Sequence, residues 1–466
     1  MASIFIPQGG QVVPSNVRGS NMNQGFVSSL EILKPENRPD FIKRFGDQRI
    51  CALKDLIEEL GYEEATSRDE YTHWEDVRLH QGFKVTGAGA TNDSFAEATF
   101  TVNSTYQDSG NRTYVRVGDV VKFSDGQHAY VLSVSDDNAA NQEFTAKPHK
   151  GWSFGNATVP LTSVIVAHRE VPEGSTMPDK VLKPDVWKYT NSVLIMNERF
   201  EMTGTTATDK IWFNVQDADG RVIGSHYGLK GETDTAIRFE NYQEAALFTG
   251  QIPDGGNGSL KADQNLKGTR GLENEIKEYG INVELGGQSI TGSNIDSMIK
   301  LMNRNKAARE NCWYAGIDQR FDLDDFVASQ NGAYLEGTNF GTFQNNPEAF
   351  MYLGFKGFER GGYKFALKQY EPFNEAEMFG FEDFNYPKSG FIIPMDKGRD
   401  PKTGVQVPSI GMRYKALDGY NRKIEVFPLG GADGVYTNDT DSKTINYRSH
   451  IGFESFAQNR MVWIEG

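Results

Sequence analysis

The chain has 466 residues and a formal net charge of -15, with 63 acidic against 48 basic side chains. That length predicts two or three domains, or one large domain with insertions, and is enough to bury substantial cores. The acidic balance argues against gripping nucleic acid by neutralising phosphates, and two cysteines, Cys51 and Cys312, make no disulfide framework and fit a reducing compartment. No apolar run approaches the roughly 20 residues of a membrane helix. The stretch Met1–Pro7 lacks the basic start and apolar core of a secretory signal. The 49 glycines predict many turns and loops.

Residues 1–40 are rich in Gly, Asn, Gln, Ser and Pro without periodicity, the pattern of an arm ordered only against a partner, if at all. A helix is predicted next, capped by Asp47, lined by Ile50, Leu53, Ile57 and Leu60, and ended by Gly61. A β-prone stretch, Tyr71 to Val85, carries Trp74, Val77, Leu79 and Phe83. From 88 to about 170 short alternating runs appear: Phe100 and Val102; Val115 and Val117; Val121 and Phe123; Tyr130, Leu132 and Val134; Val164 and Val166. Asp125-Gly126 between two of them signals a hairpin. Strands so closely spaced predict a small β-barrel or sandwich, and Val117–Gly126 resembles strand-turn segments of small SH3-like barrels.

The chain is extended again from Val186-Trp187 through Met202, with partial alternation of Val193, Ile195, Phe200 and Met202. A helix is predicted from near Glu232, with Phe239, Tyr242 and Ala246 on one face and Gly250 closing it. Another follows a Gly- and Asp-rich loop, capped by Ser293 with Asp296 three residues on, and striped by Ile295, Met298, Ile299 and Met302. From Ala315 the pattern is mixed, ending in a β-like Arg460–Ile464.

No reaction chemistry stands out. The seven histidines (73, 80, 128, 149, 168, 226 and 450) match no zinc spacing, and they read as surface or partner-facing imidazoles. His73 and His80 would lie on opposite faces of one strand. Asp322-Leu-Asp-Asp325 lacks the glycine and distal glutamate of a calcium loop and reads as an acidic turn or cap. The glycines between 354 and 380, and Gly430-Gly-Ala-Asp-Gly434, match no phosphate loop and read as turns. No Gly-x-Ser-x-Gly elbow occurs, and nothing marks Cys312 as a nucleophile. No metal, cofactor or catalytic residue is expected.

The order of elements resembles the major capsid proteins of tailed bacteriophages, the Hong Kong 97 type, and within that group those of crAss-like gut phages. Tyr189–Gly204 is similar to a descending E-loop strand, and Ala236–Gly250 to the end of a spine helix. Gly271–Ile276 with Ile290–Ile299 resembles a pair at the A-domain entrance, Phe391–Asp396 a late A-domain strand, and Tyr447–Ile464 the closing strands. The resemblance covers most of 170–466. It implies an α+β fold with an N-terminal arm (1–40), a helical segment (41–70), E-loop strands (71–87 and 171–204), an inserted β-domain (88–170), a P-domain with spine helix (205–260), an A-domain (261–420) and returning C-terminal strands (421–466).

The implied function is structural, with no enzymatic activity: a virion subunit that forms hexamers and pentamers of an icosahedral shell around double-stranded DNA, without sequence-specific contacts. Assembly in the bacterial cytoplasm, no membrane contact, and portal, scaffold and decoration proteins as partners follow from the same resemblance. In such a shell Trp74, Phe83, Trp187 and Phe200 would complete interfaces on adjacent copies, the alternative being that they fill the subunit's own core. Gly87, Gly89 and Gly204 stand where hinges would lie. Two rival readings are a fibre or adhesin that binds glycans through the β-insert, and a carbohydrate-active enzyme with a β accessory module.

Overall fold

The computed structural model describes residues 48–60, 62–76, 80, 82–86, 93–103, 115–135, 142–156, 162–177, 186–216, 222–253, 255–256, 259–332, 356–379, 385–395, 397–399 and 406–466. The expected arm, Asp47, Gly61, Val77, Leu79, Gly87 and Gly89 lie outside them. The chain divides into two units: Thr72–Thr190, and the remainder on either side of it. The fold is mixed α+β and includes a small closed barrel.

Helix α1 (Ala52–Leu60) buries Leu53 and Ile57, four residues apart on one face. Strand β1 (Glu63–Thr66) follows. Strand β2 (Glu70–Asp76) does not run on to Val85. Strand β3 (Gly82–Thr86) is a separate element, and His80 lies in neither strand, so His73 and His80 share no strand. The barrel strands continue as β4 (Ala98–Val102), β5 (Asp119–Phe123), β6 (His128–Val134), β7 (Glu143–Pro148) and β8 (Ser163–Arg169). Strand β9 (Val186–Ser192) then returns to pair with β2 as a two-stranded ribbon.

The barrel closes in the order β3-β4-β7-β6-β5-β8, starting earlier than the expected insert, at Gly82. Closure leaves no unpaired edge. Its interior is filled by rings: Phe100 lies 4.8 Å from Phe123, 5.1 Å from Phe154 and 5.5 Å from Phe144, centroid to centroid. The hairpin at Asp125-Gly126 forms as the sequence predicts. Phe123 and Gln127 pair across it, the Asp125 carboxylate accepts from the Gln127 amide, and Gly126 has φ +86°. On β6 Ala129 and Val131 are buried and Leu132 is exposed, while Val134 packs against the barrel core beyond a register shift with β7.

In the other unit β10 (Leu194–Thr203) leads through the short helix α2 (Gly204–Thr208) and the hairpin β11 (Lys210–Gln216) and β12 (Val222–His226) to the long helix α3 (Tyr227–Thr249). Next come α4 (Leu260–Gln264), α5 (Leu272–Tyr279), β13 (Ile281–Glu284), α6 (Gly292–Arg304), β14 (Glu310–Ala315) and α7 (Ile317–Gly332). After these follow β15 (Lys356–Arg360), β16 (Tyr363–Gln369), α8 (Ala376–Phe379), β17 (Gly390–Pro394), β18 (Lys397–Arg399), β19 (Gln406–Pro408) and β20 (Ile410–Leu417). Strands β21 (Tyr420–Asn421), β22 (Glu425–Gly430), β23 (Ser442–Ser455) and β24 (Val462–Glu465) complete the chain.

Two six-stranded sheets result. One runs β1-β20-β23-β10, with β21 on β20 and β22 on β23; the other runs β13-β24-β17-β14-β16-β15. The predicted closing strand is β24, buried between β13 and β17 through Val462, Trp463 and Ile464. Helix α6 covers its sheet with the predicted stripe, Ile295, Met298, Ile299 and Met302. Its cap is Thr291, whose hydroxyl accepts from the Asn294 amide, and Asp296 is instead paired with Arg360.

Helix α3 begins at Tyr227, before Glu232, and its buried face is Phe239, Gln243, Glu244, Leu247 and Phe248. Tyr242, expected on that face, is exposed. Glu244 explains the difference. Its carboxylate accepts the first amides of α1, from Leu53 (2.6 Å) and Lys54 (2.8 Å), and the Tyr370 hydroxyl at 2.6 Å. A neighbouring helix thus caps α1. Burial pushes the Glu244 carboxyl up, against the pull of these donors. Buried Lys54 in turn donates to Gln243 at 2.8 Å. At the end of α3, Gly250 and Gly271 pair backbone to backbone. A Cβ on Gly250 would meet two carbonyl oxygens at 2.3 and 2.5 Å, so that junction admits only glycine.

Candidate assembly surface

A two-stranded ribbon is marginally stable alone, yet the β2–β9 ribbon carries two tryptophans into solvent. Trp74 is 63% exposed and Trp187 is 56% exposed. The Lys188 ammonium lies 5.9 Å from the Trp74 ring centroid. His73 stacks on Tyr189 with centroids 5.3 Å apart, and Thr72 and Thr190 hydroxyls meet at 3.3 Å. These cross-strand pairs hold the ribbon together, but they leave both indoles unburied.

The base of the ribbon is fixed by a dense set of bonds. Tyr71, buried, donates to the Phe453 carbonyl on β23. Asn191 donates to the carbonyls of Arg270 (2.9 Å) and Phe453 (2.8 Å), and its own carbonyl accepts from the Arg270 amide at 2.8 Å. Ser192 donates to Gly268, and the Val193 amide donates to the Asp69 carbonyl at 2.9 Å. The Asp69 carboxylate is shared by Lys267 and Lys415, and these two ammonium groups hold its pKa down to about 2. These base residues gave no sequence signal, because the partners that make them matter stand tens to hundreds of residues away.

The other candidates sit differently. Phe83, at 4% exposed, is a core residue of the barrel against Phe144 at 6.0 Å. Its burial is supplied within its own unit. Phe200 is half-buried against the cluster of Phe239, Ile445 and Tyr447, where α3 packs on β10 and β23. Gly204 does not occupy left-handed space. A Cβ there would sit 2.0 Å from an Asp441 carboxylate oxygen, the end of a side chain that can turn aside.

Cys51 and Cys312 are free and buried, and burial pushes the Cys51 thiol up to about 12. Asp322, Asp324 and Asp325 lie within α7, not in a turn or cap; Asp322 accepts from Ser289 at 2.9 Å and Asp324 pairs with Arg320. Ser289, Thr291, Asp322, Asp325, Phe326 and Arg360 line an open hollow of about 420 Å³. His149 and His168 flank Glu170 at 2.8 and 2.7 Å on the barrel surface. His450 is buried on β23. Among the described residues no group of three His, Cys, Asp or Glu is placed to hold a metal, and no helix is long and apolar enough to cross a membrane.

No protein-family model matches the chain, and no curated protein matches it. Solved structures to which it is similar include that of Gordonia phage Cozz, at 9% identity over 96% of this chain and 95% of that one, with a TM-score of 0.40. That of Microbacterium phage Oxtober96 matches at 10% identity over 94% and 98%, TM-score 0.39. The capsid of a native GTA particle matches at 7% identity over 95% and 99%, TM-score 0.35.

Proposed function

We propose that the chain is a structural subunit that assembles with copies of itself into a closed shell, as the major capsid protein of a tailed bacteriophage. The observation that carries this reading is the ribbon: Trp74 and Trp187 stand in water on a thin element whose base is anchored by buried hydrogen bonds. Large exposed aromatics on a well-anchored projection fit a surface that is covered by another molecule. The resemblance of 170–466 to the Hong Kong 97 type names that molecule as a sister copy. In its terms β2, β9 and β10 belong to the E-loop strands, α3 is the spine helix of the P-domain (205–260), β13–β20 fall in the A-domain (261–420), and β22–β24 are the returning C-terminal strands (421–466).

Shells need heterologous contacts that close into five- and six-membered rings. The enclosed double-stranded DNA would meet an acidic protein, of net charge -15, that does not pin it. Portal, scaffold and decoration proteins would be the partners, and the virion the location. Sedimentation velocity over a concentration series tests the reading: rings or shells are expected. Trp74→Ala together with Trp187→Ala should raise the concentration needed for assembly about 30-fold or more, the effect of losing about 2 kcal/mol at an interface. A wild-type chain that stays monomeric at every concentration and salt condition overturns it.

A further inference from the structure

We infer that His450 is a proton-operated release for the base of the β2–β9 ribbon. The inference concerns how the ribbon is held, and rests on the shell reading only for the purpose that release would serve.

His450 lies on β23 opposite Ile195 of β10, and its amide donates to the Arg422 carbonyl. Its ring is 3% exposed, and neither ring nitrogen has a hydrogen-bond partner among the described residues. A buried polar group without a partner calls for a reason. The charged groups acting on it come from several elements: Arg422 after β21, Lys415 on β20, Lys267 in the segment before α5, and Asp69 at the foot of β2. Three are cations. The one anion, Asp69, is already shared by Lys267 and Lys415.

A neutral imidazole is tolerated in this setting. A protonated one carries two N–H groups without an acceptor and adds a charge beside three of the same sign. Among the described groups acting on it, the anion that could answer it is Asp69, whose backbone carbonyl holds Val193 and whose chain leads directly into β2. Recruiting Asp69, or opening the segment to water, undoes the bonds that fix the ribbon base. Burial, followed by Arg422, pushes the His450 pKa down to about 4 from the ordinary 6.5. The open form therefore takes up a proton between those values while the closed form does not. The closed form is favoured fully above pH 6.5 and loses ground as pH falls towards 4. At pH 5 the open population should exceed that at pH 7.5 by about 30-fold.

Hydrogen exchange of the purified full chain, read by mass spectrometry and corrected for intrinsic rates, tests this. Peptides over 67–72 and 191–194 should exchange about 30-fold faster at pH 5 than at pH 7.5 in the wild type, and less than about 3-fold faster in His450→Gln. An equal acceleration in both proteins, or none in the wild type, overturns the inference. Should His450→Gln fail to fold, titration of the imidazole in histidine-labelled wild type decides: a midpoint near 4 to 5 supports the release, and one near 6.5 refutes it. A ribbon that opens on schedule in a chain that never assembles would refute the shell reading and leave this one standing.

Discussion

Glu244 shows how much one side chain can organise. It terminates α1, receives Tyr370 and sits at zero exposure on α3. Glu244→Ala would leave two helix amides and a buried hydroxyl without an acceptor, each a loss of about 1 kcal/mol or more. A destabilisation of about 3 kcal/mol is expected in urea unfolding, with Glu244→Gln costing less because its amide oxygen still accepts. The residue was not legible in the sequence. A glutamate on a helix reads as a solvated face, and its partners lie 191, 190 and 126 positions away. The same distance hid Asp69 and the burial of His450, whereas Leu53 and Ile57 declared themselves because their spacing is local.

At the level of elements the barrel is the most autonomous piece. Its six strands close on themselves and its core is made of its own phenylalanines. Phe100→Ala should cost about 4 kcal/mol within the barrel. Differential scanning calorimetry should show the barrel's transition move down while that of the other unit stays in place; a parallel shift of both would contradict its independence. Much of the barrel was legible, since short alternating runs and Asp125-Gly126 report strands and a hairpin directly. Which residues of β6 point inward was not, because the register shift between Val131 and Ser133 against β7 interrupts the alternation. The ribbon was legible as extended, aromatic-bearing chain. Phe83 looked equivalent to Trp74 in sequence and differs because it lies on β3, inside the barrel.

For the whole molecule, the assembly reading separates stability from association. Trp74 and Trp187 are more than half exposed, so replacing either with alanine should change the unfolding free energy by no more than about 0.5 kcal/mol, the usual range for exposed positions. The same replacements should weaken assembly strongly. Equal loss of both properties would mean that the indoles serve the subunit's own fold. Hydroxyl-radical footprinting, read at each tryptophan by mass spectrometry in the free chain and in the assembled particle, tests the central claim most directly. Both Trp74 and Trp187 should be labelled readily in the free chain and protected in the particle. Particles in which both indoles remain as reactive as in the free chain would contradict it.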